Sequence, residues 1–204
     1  IPAHTAYGFA VLREPQLRDA AQVPVVTTGH AVTAVSVVRT VLAALAATGR
    51  ELGELTVAVV GLGSIGRTSL ELLLERAPRP PARLLLCDVA GSGPRLAELA
   101  GELAAVTTTE VSWHESDPRL PAAVYAADLI IAAVSGSGAL LQVERLRPGT
   151  VVVDDSFPHC FDTAAAQRRM RDRRDVLLVG GGLLDCGAGQ RHLAEGVPHL
   201  AAEV

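Results

Sequence analysis

The 204-residue chain contains no lysine; all 18 of its basic residues are arginine. That absence removes Schiff-base catalysis and any dehydrogenase built around a lysine general acid, the lysine-dependent amino-acid and shikimate-type enzymes among them. Aromatic residues make up only 3% of the chain, too few for a base-stacking platform, and a net charge of −4 argues against nonspecific nucleic-acid binding. The three cysteines, Cys87, Cys160 and Cys186, are too few and too odd in number for a disulfide framework, which suits a reducing cytoplasm. No Cys/His spacing suggests zinc. No uncharged apolar stretch approaches the ~20 residues that a membrane helix needs, so no membrane span is expected. No basic-plus-apolar leader opens the sequence, which starts at Ile1 rather than Met; a true start and any targeting signal would have been removed.

What is present is a core-forming chain, 49% hydrophobic and 20% charged. Ala31 to Ala47 is apolar nearly throughout, with Arg39 its one charge, and predicts a buried helix ended by Gly49. Such a helix is also apolar enough to lie at a subunit interface, so an oligomer is compatible with the sequence. Strands are expected at Thr56–Val60, Arg83–Cys87, Val106–Trp113, Asp128–Val134, Thr150–Val153 and Val176–Val179. Helices are expected at Ser64–Arg76, Pro94–Leu103 and Ala164–Arg174 between them. Strands alternating with helices predict an α/β fold with a doubly wound parallel sheet, Rossmann-like, flanked by helical segments from a second, incomplete region. On this division residues 1–28 belong to a helical substrate region, 29–189 form the dinucleotide-binding domain, and 190–204 begin a C-terminal helical region.

Gly61-Leu62-Gly63-Ser64-Ile65-Gly66 fits G-x-G-x-x-G, after a strand and opening a helix. The first glycine permits the tight turn, the second lets backbone approach a pyrophosphate, and the third lets helix and strand come close. The helix N-terminus offers free amides to the phosphates. Asp88 stands at the end of the second strand, where a carboxylate accepts hydrogen bonds from ribose hydroxyls and repels a 2′-phosphate. NAD is therefore favoured, with NADP kept open because Arg95 is close enough in sequence to compete for a 2′-phosphate. Val134 and Ser135, at the end of the fourth strand, are where such folds bring backbone against the nicotinamide half.

A second glycine-rich run, Gly180-Gly181-Gly182-Leu183-Leu184-Asp185-Cys186-Gly187, follows the last strand and carries a thiol. Reduction of an acyl thioester needs such a nucleophile: acyl transfer onto the thiol fixes the carbonyl beside the nicotinamide, and hydride delivery gives a thiohemiacetal that collapses to aldehyde. Cys186 is the candidate nucleophile. Cys87, on a buried strand, is expected to be core, and Cys160, next to His159, is the rival nucleophile. His30, opening the long helix after Thr27-Thr28-Gly29, is a candidate proton donor or orienting group near the nicotinamide, against the plainer expectation of a capping or core histidine.

Val26-Thr27-Thr28-Gly29-His30 with its helix, Thr56 to Gly66, Ala127 to Ile131, Val151 to Pro158 and Leu178 to Cys186 together resemble the long-chain acyl-[acyl-carrier-protein] reductases of cyanobacteria. The resemblance runs through most of the chain in order. It implies a dinucleotide domain, a helical substrate region, reduction of a fatty acyl thioester to an aldehyde, and Cys186 as the catalytic cysteine. The departures are specific. That family has an extra residue in its glycine loop and an Ala-Arg pair where this chain has Asp88-Val89, and both differences push toward NAD. Its Thr-Thr-Gly-Asn is Thr-Thr-Gly-His here, and its Tyr-Pro-Lys-Asn is Phe157-Pro158-His159-Cys160. Its residue before the reactive cysteine is His, whereas Asp185 here would raise the thiol pKa unless it points away. The family's helical sequence before Ile1 and after Val204 implies a trimmed chain or a shortened relative.

Arg168 to Arg174, with only Met170 and Asp172 not arginine, offers a basic patch on which an acidic acyl carrier protein would dock. The alternative is a solvated helix face whose arginines pair with Asp172 and Asp175. The sequence leaves three functions open: a thioester reductase acting through Cys186, a dehydrogenase without covalent catalysis using His30 or His159 as proton carrier, and a non-catalytic NAD(H)-binding partner.

Overall fold

Five runs dominated by aliphatic residues and one polar edge run become the strands of one sheet in the computed structural model, which describes residues 29–116, 119–136 and 140–182. The strands are β1 (Thr56–Val60), β2 (Arg83–Val89), β3 (Glu110–Ser116), β4 (Leu129–Ala132), β5 (Val151–Asp154) and β6 (Leu177–Gly180). Their order is β3-β2-β1-β4-β5-β6, and every neighbouring pair is parallel. This is the expected doubly wound α/β fold, with the strand order reversing between β1 and β4. The central strands are covered on both sides, which is why β4 and β5 are buried at every position and read as continuous apolar runs rather than alternating ones.

The helices described are α1 (His30–Thr48), α2 (Ser64–Arg76), α3 (Gly93–Val106), α4 (Ala122–Tyr125) and α5 (Thr163–Asp172). The two-residue side-chain alternation of each strand divides the core. Val57, Val59, Leu129, Ile131 and Val153 face α1, α2 and α3, meeting Val37, Val41, Leu70, Leu73 and Leu96. Ala58, Val60, Ile130, Ala132 and Val152 face the other way, onto Val124, Tyr125, Leu141, Phe161 and Ala166. By length and hydropathy alone α1, 19 residues with a mean hydropathy of 1.8, suffices to cross a membrane, although Arg39 interrupts it and it is not an uncharged stretch. Its packing accounts for the hydropathy: Val37, Val41 and Leu45 are buried against the sheet, while Val32, Val35 and Leu42 are exposed on the other side.

The largest departure from the expected boundaries is at the third strand, and one short helix is new. The strand predicted at Val106–Trp113 begins only at Glu110, because α3 continues through Val106. The apolar period of Leu96, Leu99 and Leu103 carries the helix on, and the Thr107 hydroxyl closes it by donating to the Leu103 carbonyl at 3.0 Å. The four-residue α4 was not anticipated, being too short for any periodicity to register. Residues 1–28 and 183–204, and with them Cys186 and both flanking regions expected from the sequence, lie outside the described residues.

Candidate functional site

The C-terminal ends of β1, β2, β4 and β5 meet where the strand order reverses, and the glycine loop occupies that edge. Gly61 takes φ +85°, and a Cβ there would lie 2.5 Å from the Ala133 carbonyl oxygen. A Cβ on Gly66 would lie 1.9 Å from the Gly61 carbonyl oxygen. Only the absence of side chains lets the turn close against β4 and lets α2 start where it does. Gly63 is different: it is exposed, and a Cβ there would meet nothing within 4 Å. The loop thus has two glycines that close the turn and one that keeps a face open, where the amides of the first turn of α2 begin. Ser64 is exposed and Ile65 half-buried on that first turn. The loop therefore fits a pyrophosphate group, which its residues would hold through backbone amides.

Asp88, the penultimate residue of β2, lies beside this loop. Its Oδ2 accepts the Leu62 N–H at 3.0 Å, and its Oδ1 accepts the Val89 N–H at 2.8 Å. Arg95, on the first turn of α3, reaches Asp88 Oδ2 through Nη2 at 2.5 Å and the Leu62 carbonyl oxygen through Nη1 at 2.9 Å. The carboxylate that the sequence assigned to the ribose is thus also a fastener of the loop itself. His30, at the start of α1, lies with Nδ1 3.2 Å from Ser64 Oγ, which joins it to the phosphate end of the cradle. Val134 donates its N–H to Ser156 Oγ at 3.0 Å, and Ser135 beyond it is exposed.

The end of β5 carries a cluster that sequence inspection did not assemble. Asp154 is buried; its Oδ1 accepts the Ser156 N–H at 3.0 Å, and its Oδ2 accepts the Cys160 N–H at 3.1 Å and faces His159 Nδ1 at 2.9 Å. His159 stacks on Phe161, ring centroids 5.2 Å apart, so the imidazole is held from two sides and presents its other nitrogen away from the carboxylate. The signal was present in Asp154-Asp155-Ser156 and the following histidine, but nothing in their spacing said that the first carboxylate turns inward. Cys160, the rival nucleophile, is buried, and burial followed by the Asp154 charge raises its pKa well above the ordinary thiol value. Cys87 is likewise pushed up to about 12 by burial and then by Asp88. Burial and a raised pKa both disfavour the thiolate at either position, which weighs against the alternative nucleophile role for Cys160.

Asp155 points toward Gly182, where a Cβ would come within 2.0 Å of its Oδ1, and Thr33 of α1 lies beside the same glycine. Burial, and then the charge of Asp154, raise its pKa to about 6. A carboxyl group raised in the folded state costs stability once it ionises there: the loss begins as pH climbs past the unfolded value near ~3.9 and is complete above the folded one. Asp155→Asn is therefore expected to stabilise the protein by about 1–2 kcal/mol at pH 7.5, after allowing for solvent screening, with the gain shrinking toward pH 4. Urea denaturation at the two pH values checks this; an equal effect at both would show that ionisation is not the cause.

The Arg168–Arg174 run is not uniform. Arg169 is buried, while Arg168, Arg171, Arg173 and Arg174 are exposed, with Arg171 on Asp172 at 3.2 Å and Arg173 on Asp175 at 2.9 Å. Because α5 returns antiparallel to the strands, this run lies at their N-terminal ends, opposite the glycine loop. Two cavities of about 430 and 410 Å³ also open on the outer side of α1, and no residue of the glycine loop lines either.

No family model matches the chain, and no curated protein matches it. Solved structures do. The A chain of dipicolinate synthase from Bacillus subtilis aligns with a TM-score of 0.55 and 18% identity over 86% of this chain and 54% of that one. L-tryptophan dehydrogenase from Nostoc punctiforme aligns at 0.53 and 18% identity over 76% and 43%. The ligand-free 5-ketofructose reductase of a Gluconobacter strain aligns at 0.51 and 16% identity over 72% and 51%. At these identities the likeness shows the fold. The chain spans about half the length of the structures it matches.

Proposed function

We propose that this chain holds the dinucleotide-binding core of an NAD(P)H-dependent oxidoreductase that reduces an acyl thioester to an aldehyde through Cys186. One observation carries the first half: Gly61 and Gly66 close a turn that no other residue could make, while Gly63 leaves its face open at the start of α2. Three matched structures being dehydrogenases, reductases or synthases of the same fold agrees with an oxidoreductase. A bound reduced nicotinamide would supply a hydride. The acyl half rests on the sequence resemblance and on where β6 delivers the chain. Gly181 donates its N–H to the Asp154 carbonyl at 2.9 Å and Gly182 abuts Asp155, so the last described residues before Cys186 in sequence lie against the end of β5.

In the chemistry proposed, the Cys186 thiolate attacks the acyl carbonyl and expels the CoA or carrier thiolate. The acyl-enzyme then takes up a hydride and a proton, and the resulting thiohemiacetal releases aldehyde and restores the thiol. The carrier-protein donor and a cytoplasmic setting belong to the same proposal. A second reading has its own support in the Asp154–His159 pair: a carboxylate-held imidazole at the end of β5 is suited to carry a proton in a dehydrogenase without covalent catalysis.

Intact-protein mass spectrometry separates the two. The full chain, incubated without nicotinamide with acyl-CoA and acyl-carrier thioesters of several lengths, should gain one acyl group, lose it in Cys186→Ala, and discharge it as aldehyde on addition of NADH or NADPH. Absence of any adduct, with turnover that survives Cys186→Ala but falls in His159→Ala, would replace the covalent mechanism with the second. Dinucleotide binding with no turnover of any substrate would leave a binding partner rather than an enzyme.

A further inference from the structure

Resting on the dinucleotide reading, we propose that Arg95 and Asp88 form a two-position reader of the adenosine ribose, by which this site accepts both NADH and NADPH, with Arg95 as the residue that sets the balance. Asp88 alone would make the site repel a 2′-phosphate. It is not alone. Arg95 Nη2 lies 2.5 Å from Asp88 Oδ2, so the charge facing the ribose is that of an ion pair rather than of a carboxylate.

The two partners are held very differently. Asp88 is 11% exposed and is fixed by two backbone donors, Leu62 N–H on Oδ2 and Val89 N–H on Oδ1, whether or not the arginine is present. Arg95 is 51% exposed, and only its two guanidinium contacts hold its head. The carboxylate is therefore the fixed element and the guanidinium the movable one. Its second contact, to the Leu62 carbonyl, keeps it over the backbone of the phosphate loop. With an unphosphorylated ribose the hydroxyls share the Asp88 oxygens and Arg95 stays paired. With a 2′-phosphate the planar fork turns to the phosphate oxygens, a bidentate match that a lysine head cannot make. Arg95's head is half exposed, and the two hydrogen bonds it gives up, to Asp88 and to the Leu62 carbonyl, are replaced by those to the phosphate oxygens.

Titration of the full chain with NADH and NADPH, followed by nicotinamide fluorescence and calorimetry, tests this without any substrate. The wild-type protein is expected to bind both within about tenfold of each other. Arg95→Ala should weaken NADPH at least tenfold while NADH changes by less than threefold, and Arg95→Lys should fall between. Raising salt should weaken NADPH more than NADH in the wild-type protein, and this difference should vanish in Arg95→Ala. An unchanged NADPH-to-NADH ratio in Arg95→Ala, or a wild-type protein selective for NADH by more than about a hundredfold, overturns the two-position reader while leaving dinucleotide binding intact. A folded wild-type protein that binds neither nucleotide overturns the dinucleotide reading itself, and the reader with it.

Discussion

Alanine at Gly66 should cost both stability and dinucleotide affinity, whereas alanine at Gly63 should cost affinity alone. In an ordinary helix, Gly→Ala is stabilising by about 1 kcal/mol, because alanine has less backbone freedom to lose. Gly66 is in the first turn of α2, so propensity alone predicts a gain. Sterics predict the reverse: the new Cβ would lie 1.9 Å from the Gly61 carbonyl oxygen, and that oxygen belongs to backbone already held by the Gly61 N–H bond to the Cys87 carbonyl at 2.9 Å. Neither side can yield without moving the loop off β4 or lifting α2 from the sheet. A loss of about 2–4 kcal/mol is expected, together with a fall in dinucleotide affinity of more than about a hundredfold. Gly63→Ala meets nothing within 4 Å, and its φ of −70° is open to any residue. Its stability should stay within about 0.5 kcal/mol of the parent. Its affinity should nevertheless drop by about tenfold or more, because the added methyl occupies the face that backbone must offer to the pyrophosphate. Urea denaturation and NADH titration of both variants suffice. If Gly63→Ala bound as tightly as the parent, the open face would not be the phosphate site, whatever the fate of Gly66→Ala.

The same loop shows why part of this molecule could be read from its residues. Gly61 and Gly66 answer steric demands and Gly63 an open face, and all three sit in one short turn, so their spacing carries the motif even though the atoms crowding Gly61 belong to Ala133 and Val134. Asp88 was legible for a related reason: the strand length fixes where a residue at its end must lie. What could not be read is direction. Asp154 and Asp155 are adjacent and alike, yet the first, ending β5, is buried beneath His159 and the second, just past the strand, turns to Gly182; their identities alone do not say which goes where. The start of β3 was misplaced because Val106 to Thr109 is β-branched, while the competing apolar period of α3 had not yet ended. The second contact of Asp88, to Leu62, was equally hidden, since no pattern marks a carboxylate as serving its own loop as well as a ligand.

The arginine run is the clearest case, and it carries the second large effect. Seven residues that look like a uniform basic face contain one arginine that is structural. Arg169 is 6% exposed; its Nε and Nη2 grip both oxygens of Asp175 at 3.0 and 3.1 Å, Nη2 donates to the Leu146 carbonyl at 2.6 Å, and Nη1 donates to the Val143 carbonyl. The side chain ties α5 to the loop before β5 and to the turn before β6. Arg169→Leu would leave the Leu146 carbonyl without a donor, the Val143 carbonyl with only the Leu146 N–H, and Asp175 with only the Arg173 side chain, so a loss of about 2–4 kcal/mol is expected in urea denaturation. Arg171→Ala, an exposed neighbour paired only with Asp172, should change stability by no more than about 0.5 kcal/mol. The pH dependence supplies an independent check. Hydrogen bonding to Arg169, with its positive charge, holds the Asp175 carboxyl below its ordinary value, so the stability this pair contributes is present above the unfolded pKa of about 4 and is lost as pH falls through the folded one. Arg169→Leu should therefore lose less on acidification than the parent does. Equal costs for Arg169→Leu and Arg171→Ala would mean that the run is a solvated face throughout, with Arg169 no different from its neighbours. A large cost confined to Arg169 removes it from any docking surface and leaves Arg168, Arg171, Arg173 and Arg174 as the charges a partner would meet.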